Sequence, residues 1–294
     1  SDHGVPIVAA ERLIYRVNNL NTSFTEMMAL PDKALDTTYW LPWYNNVELD
    51  TQLRFANVSG STATVHVSIK NVPVPGSPFT LQPGASTRKS FIGVNSGPVK
   101  IESNVNIVAA ERVIDRLGAT PISFTEMMAL PSSQLNTTYW LPWYDNVDLD
   151  TQLRFANVSS SQAMVRVYIG GVEMPGGPFT LQPGESLRRS FVGVNDGPVE
   201  IVSNVSIVAA ERVIQKVNNM PTSFAEMMGL PSSLLSTTYW LPWYNNVDLD
   251  TQLRIANVSG SPSTVTVTIG GVAMPSFHLA AGESTRKRYP GVNN

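Results

Sequence analysis

Apolar and polar residues alternate one by one along much of this chain. In "ATVHVSIK" (63–70), Val65, Val67 and Ile69 alternate with His66 and Ser68. The same places hold Val165, Val167 and Ile169, then Val265, Val267 and Ile269, while the residues between them change to Arg166, Tyr168, Thr266 and Thr268. One face stays apolar as the other drifts, the behaviour of a half-buried strand. "DTQLRFAN" (50–57) likewise sets Leu53 and Phe55 against Gln52 and Arg54. Further strands are expected in "IVAAERLI", "TYWLPW", "PFTLQ", "STRKSFIG" and "PVKIES", with turn signals such as Pro83-Gly84 and Gly93–Asn95 between them. One segment reads differently. "TSFTEMMALP" (22–31) offers Thr22 or Ser23 as a cap, Glu26 as the capping-box partner and Pro31 as a stop, which predicts a helix of about two turns.

The whole pattern is written three times. "IVAAER" begins at 7, 107 and 207, "SF(T/A)EMM" at 23, 123 and 223, and "GVN" at 93, 193 and 291. A period of 100 residues, shortened by two in the third copy, is the size of a self-sufficient domain. Many short strands and one short helix per copy predict an all-β chain of three tandem immunoglobulin-like β-sandwich domains, at 1–103, 104–203 and 204–294. The joining segments "GPVKIESNVNIVAAER" (97–112) and "GPVEIVSNVSIVAAER" (197–212) leave no flexible linker, so a rod is expected. The third copy lacks its own "GPVxI" strand. Two expectations follow: a fragment of a longer array, or an open edge filled by another molecule through strand addition.

"TTYWLPWYNNVDLDTQLR" (237–254) recurs at 37–54 with Glu48 and at 137–154 with Asp145. An extended chain puts Tyr39, Leu41 and Trp43 on one side and Trp40, Pro42 and Tyr44 on the other, so both faces need cover. The expectation is a repeated structural core of Trp40, Trp43, Trp140, Trp143, Trp240 and Trp243, one of each pair inside the sandwich and the other under the helix or at a junction. A sugar-binding platform beside Asn45, Asn46 and Asp50 is the competing use.

A net charge of −3 with 15% charged residues and no basic run excludes a polyanion footprint, so nucleic acid is not an expected partner. No apolar stretch is long enough for a membrane-spanning helix. The absence of cysteine removes disulfides and thiolate metal sites. The histidines His3, His66 and His278 fall at unrelated phases of the repeat and no catalytic motif appears, so no enzyme is expected. Calcium is the one metal worth weighing: Glu48 with Asp50, Asp148 with Asp150, and Asp248 with Asp250 stand two apart among other oxygen donors. Two carboxylates do not make a cage, and solvated turns are the preferred reading. Glu11 and Arg54, Glu111 and Arg154, and Glu211 and Arg254 recur on strands that look buried, which predicts structural ion pairs, with Arg12 as the alternative member, that Glu11→Gln would weaken. "NVS" at 57, 157 and 257 is an N-glycosylation acceptor pattern.

The combination of "IVAAERVI", "SFTEMMALP", "YWLPWYNNVDLDTQLR" and "YPGVN" resembles a repeat found in tandem in extracellular proteins of bacteria such as the Chloroflexota. The resemblance covers every copy. It implies surface-exposed β-sandwich arrays with structural or adhesive roles, and supplies no catalytic residues. The expected function is therefore an extracellular fibre or cell-surface stalk that self-associates into filaments. The alternatives are a modular glycan-binding adhesin and a spacer in a larger surface protein.

Overall fold

The structure, a computed structural model, describes residues 7–17, 20–218 and 220–294. His3 lies outside them. The chain is all-β: among the described residues the helical elements are three-residue 3₁₀ turns at Asp32–Ala34, Ser132–Gln134 and Ser232–Leu234. Strand pairing builds two nine-stranded sheets and several two-stranded ones.

The expected helix is a strand. Leu20–Met28, Thr120–Met128 and Met220–Met228 each pair antiparallel with the "IVAAER" strand before them. Glu26, which could have closed a capping box, stands opposite Arg12 and binds it across the ladder. A local helix this short is marginal, whereas the neighbouring strand supplies a full set of backbone partners to a β-compatible Phe-Thr sequence. Tertiary pairing overrides the local signal.

The elements that organise each sheet are two 19-residue strands, Val99–Leu117 and Val199–Val217. The boundaries expected at 103/104 and 203/204 fall inside them. The first part of Val99–Leu117 lies between two strands of the preceding repeat: Ile101 stands opposite Tyr39 on one side and Val67 on the other. The second part lies between Asp50–Asn57, again of the preceding repeat, and Thr120–Met128. Partners change around Asn104, whose side chain accepts the Thr64 N–H (2.7 Å), an arrangement repeated by Asn204 and Met164. Leu130–Pro131 then adds a further strand opposite Trp40 and Tyr39. One repeat thus completes the sheet of the one before it, and the repeat is not self-contained in its strand pairing.

Tyrosine and aliphatic rings and branches fill the interior. Tyr39, Leu41, Leu53, Val65 and Ile101 are completely enclosed, as are Tyr139, Leu153, Val165 and Ile201. The Tyr39 hydroxyl donates to the carbonyl of Ile107 (2.7 Å) and accepts the Asp36 N–H (2.9 Å), tying the aromatic strand to the long one. Tyr44 closes a second tie, donating to Thr51 O and accepting the Phe91 N–H.

The third repeat shows what the long strand contributes. No described strand takes its place there, and residues 237–243 form no ladder. The pairings that do not involve it persist: Leu253–Ala256 with Ser284–Lys287, and Ser263–Val265 with Phe277–Leu279. Tyr239 is 61% exposed where Tyr39 and Tyr139 are 0%. Tyr139→Phe should therefore lower stability by about 1–3 kcal/mol by orphaning the buried Ile207 carbonyl. Tyr239→Phe should stay within about 0.5 kcal/mol. Denaturant midpoints of the two variants check this contrast.

Candidate functional site: the junction between repeats

The three "IVAAER…SFxEMM" hairpins pack in succession. The Thr25 hydroxyl accepts the Glu126 N–H (3.2 Å), and Thr125 accepts the Glu226 N–H (3.1 Å). Ser123 accepts the Phe224 N–H in the same way (3.2 Å). Each hairpin carries a cross-strand ion pair at 2.5 Å, Arg12–Glu26, Arg112–Glu126 and Arg212–Glu226, with the guanidinium over Phe24, Phe124 or Phe224. The first pair is open to solvent and the third is almost fully enclosed.

The residues expected to pair directly, Glu11 with Arg54 and their counterparts, form no direct ion pair among the described residues and instead stand beside these bridges in larger groups. At the first junction Arg54 lies 3.7 Å from Glu126, and Glu11 acts on Arg54, Arg112 and Glu126 together. At the second, Glu111, Arg154, Arg212 and Glu226 gather and are all buried or nearly so. The group holds two positive and two negative side chains, one from each neighbouring strand. A buried charge persists when paired in this way. At the third, Glu211 faces Arg254 without a further Arg–Glu pair, and its Oε2 has no hydrogen-bond partner. Burial raises the carboxyls of Glu11, Glu111 and Glu211, with the neighbouring arginines pulling the other way.

The tryptophans of the first two repeats stand at the junctions, and Trp40 joins the apolar cluster of the second repeat. Trp40 is buried under the following repeat, its indole N–H donating to Ser132 Oγ (2.8 Å), and Trp140 does the same to Ser232 (3.0 Å). Trp43 is half-buried and lies under the guanidinium of Arg154 in the next repeat (5.5 Å), as Trp143 lies under Arg286 (4.8 Å). Each is fixed by an Asn of "GVN": Trp43 donates to Asn95, Trp143 to Asn195, and Trp243 to Asn293. Gly97 makes the approach possible, since a Cβ there would stand 2.4 Å from Pro42 O and 2.8 Å from Ser186 Oγ. Core placement holds for Trp40, which packs in the apolar cluster of the second repeat, and is corrected for Trp43, Trp140 and Trp143, which are partly buried, and for Trp240 and Trp243, which are 75% and 59% exposed. Among the described residues no strand covers Trp240 as Leu130–Pro131 covers Trp40.

Of the carboxylates weighed for calcium, Asp50, Asp150, Asp250 and Glu48 are engaged elsewhere. Asp50 pairs with Arg116 (2.7 Å), Asp150 with Lys216 (2.5 Å) and Asp250 with Arg288 (3.3 Å). Glu48 accepts from Asn45, and the Asp148 and Asp248 backbone N–H groups bond the side chains of Asp145 and Asn245 in tight turns. Among the described residues no three His, Asp or Glu side chains gather as metal ligands. The "NVS" asparagines are buried: Asn57 donates to Ser61 O and Leu81 O and accepts from Ser59, so its amide is a turn fastener rather than an exposed glycan acceptor. No described helix is long and apolar enough to cross a membrane.

No family model matches this chain, and no curated protein matches it significantly. The junction geometry is therefore the guide to function. Sequence reasoning named Arg12 as an alternative member of the ion pair but missed Glu26, Ser132 and Asn95 as junction residues; their recurrence in all copies or in neighbouring ones is the available signal, and Glu26 reads as a helix cap.

The Glu211 carboxyl is pushed up to about 8 by burial, against Arg254. A group with a raised folded pKa binds its proton more tightly when folded. Its stabilisation is complete below the ordinary value of 4.5 and is lost as pH climbs toward 8. Stability should then fall by up to about 1.4 kcal/mol per pH unit across that window, and Glu211→Gln should flatten the decline instead of costing stability. Urea midpoints measured across the same pH range test both statements.

Proposed function

We propose that this chain is a non-catalytic structural protein of the cell surface or extracellular space, a repeat-built stalk or fibre whose three immunoglobulin-like sandwiches are arranged as a rod. The observation that carries this reading is the strand Val99–Leu117, which belongs to two repeats at once. Tension along the chain loads its hydrogen bonds on both edges, and separating two repeats means pulling a strand out of a sheet. A linker of loose coil would yield long before. The buried charge groups add register, since sliding by one residue would strand two carboxylates and two guanidinium groups away from their partners. The Chloroflexota-type resemblance of the repeat supports the same setting.

The adhesin reading keeps one supporting observation, the exposed Tyr239, Trp240 and Trp243. Their counterparts in the first two repeats are covered by the neighbouring repeat, which favours an unpaired junction over a sugar platform.

Two measurements test the proposal together. Antibodies against the protein should label intact producing cells without permeabilisation. Tryptophan fluorescence should show no saturable change on titration with soluble cell-wall polysaccharides. Labelling confined to permeabilised cells would remove the surface role, and a saturable quench abolished by Trp240→Ala would transfer the function to glycan binding.

A further inference from the structure

We propose that two copies of this chain meet side by side through a patch that every repeat carries, the apolar tip after Asn46 of one copy seated in a lateral crevice of the other. This rests on the fibre reading above and names the surface through which chains meet.

The patch is built from two neighbouring loops. In the first repeat the Asn46 N–H donates to Val94 O (2.7 Å) and the Gly93 N–H donates to Asn46 O (3.0 Å). The same bonds join Asn146 to Val194 and Gly193, and Asn246 to Val292 and Gly291. Each loop holds an apolar side chain out to water. Val47, Val147 and Val247 are 60–62% exposed, and Ile92 and Val192, at 90% and 86%, are the barest large apolar side chains among the described residues. Exposed strand positions in this chain change freely, as His66, Arg166 and Thr266 do. At the tip valine is kept three times, and the place of Ile92 and Val192 is taken by Pro290 in the third repeat. Apolar residues held in water by tight turns in every copy mark a contact surface.

Shape and charge say what meets it. Beside Ile92 lies a crevice of about 410 Å³, lined by Pro75, Phe79, Lys89, Phe91, Ile92 and Val94. The Lys89 ammonium stands over the Phe79 ring (4.6 Å), as Arg189 stands over Phe179 (4.8 Å) and Lys287 over Phe277 (4.4 Å). Among the described residues none of these three cations has a carboxylate partner. At the tip, Glu48, Asp148 and Asp248 follow the valine and form no ion pair either, whereas Asp50, Asp150 and Asp250, two residues on, are all paired. Residue types change between repeats while the signs hold: an acid at the tip and a cation at the crevice.

A valine followed by an acid fits an apolar wall topped by a cation. Both halves lie on one repeat, so a two-fold axis between copies seats each tip in the other's crevice and pairs both charges at once. The loops are set beforehand: the Val47 N–H is held by Asn45 Oδ1 (3.1 Å), and the Phe91 N–H by the Tyr44 hydroxyl (2.7 Å), so little freedom is lost on contact. With three patches per chain, weak single contacts combine where two chains lie alongside.

Sedimentation velocity on the 294-residue chain from micromolar to submillimolar concentration should show reversible association. Two variants each invert one half of the contact: Glu48→Lys with Asp148→Lys and Asp248→Lys, and Lys89→Glu with Arg189→Glu and Lys287→Glu. Either alone should associate about tenfold more weakly, since like charges then face each other. Their equimolar mixture should regain association, because opposite signs meet again. Ile92→Asp with Val192→Asp should weaken association as well. A monomeric wild type would overturn the proposal and leave the crevice to a partner other than a second copy. Association indifferent to these substitutions, or a mixture no tighter than its components, would overturn it too. Labelling of intact cells reads the stalk role separately, so a monomer that still labels them sinks this contact alone.

Discussion

A backbone amide or carbonyl taken out of water must find another hydrogen-bond partner, and a strand buried among others has two edges on which to find them. In this protein the strands that need most partners are not enclosed within one repeat. Val99–Leu117 finds the aromatic strand and Ala63–Ile69 with its first part, and Asp50–Asn57 and Thr120–Met128 with its second. The rest of the architecture follows from that division. Tyr39 can reach the Ile107 carbonyl only if the strand passes over the core, and Trp40 is covered only if residues 130–132 come after it. Where the strand has no counterpart, in the third repeat, the ladders that depend on it vanish and the others remain. The pairing is a requirement and not an addition.

The charge groups serve a different purpose from the ladder. Bringing Glu111, Arg154, Arg212 and Glu226 out of water is unfavourable, and a hydrophobic cluster of the same volume could hold the repeats together as well or better. What an apolar cluster lacks is discrimination. Thr–hydroxyl contacts and pleated strands tolerate slippage in steps of two residues, whereas a quartet of alternating charge tolerates none. The arrangement therefore couples three segments distant in sequence — a hairpin, a sheet strand and the following hairpin — into one register. Raised carboxyl pKa values at Glu111 and Glu211 are the trace of that compromise: each is buried more deeply than its arginine neighbours fully compensate, whereas Glu11, at the exposed first hairpin, is raised by desolvation and by Glu126 together.

Much of the fold was legible because strand alternation is a local signal. Val65, Val67 and Ile69 and their counterparts point inward as their period-two spacing requires. The hairpins were not legible in the same way. Thr22, Ser23 and Glu26 read in the sequence as a sound capping box, and nothing within ten residues reveals that Arg12 lies opposite Glu26. The tryptophans failed for a related reason. Alternation showed that both faces of "TYWLPWY" need cover, but not which face meets the interior; the tyrosines took it, and the indoles were left to a neighbour about one hundred residues away. The Glu–Arg pairs were half right for residue type and incomplete for partners, because the second arginine and second carboxylate arrive from a different hairpin. Asn95 reads in the sequence as part of a turn motif, although it and Asn195 each follow a tryptophan by 52 residues.

Sharing a strand also fixes how stability is distributed along the chain. When each repeat borrows its central strand from the next, the free energy of a repeat is the sum of its own packing and of the interface that completes it, as in nearest-neighbour arrays. The long repeat suggested independence, and size alone supports it, yet the pairing makes these units interdependent despite their length. The first two repeats have both terms, and the third has mainly the first. Its residual order comes from contacts that need no neighbour: Tyr244 with Thr251 and Tyr289, Asn257 in its turn, and the paired strands around Arg254 and Arg286. Those contacts hold the Trp243 indole on Asn293 although its ring is exposed. Among the described residues, order in the third repeat therefore persists where both partners of a ladder or turn lie within it, as nearest-neighbour coupling requires.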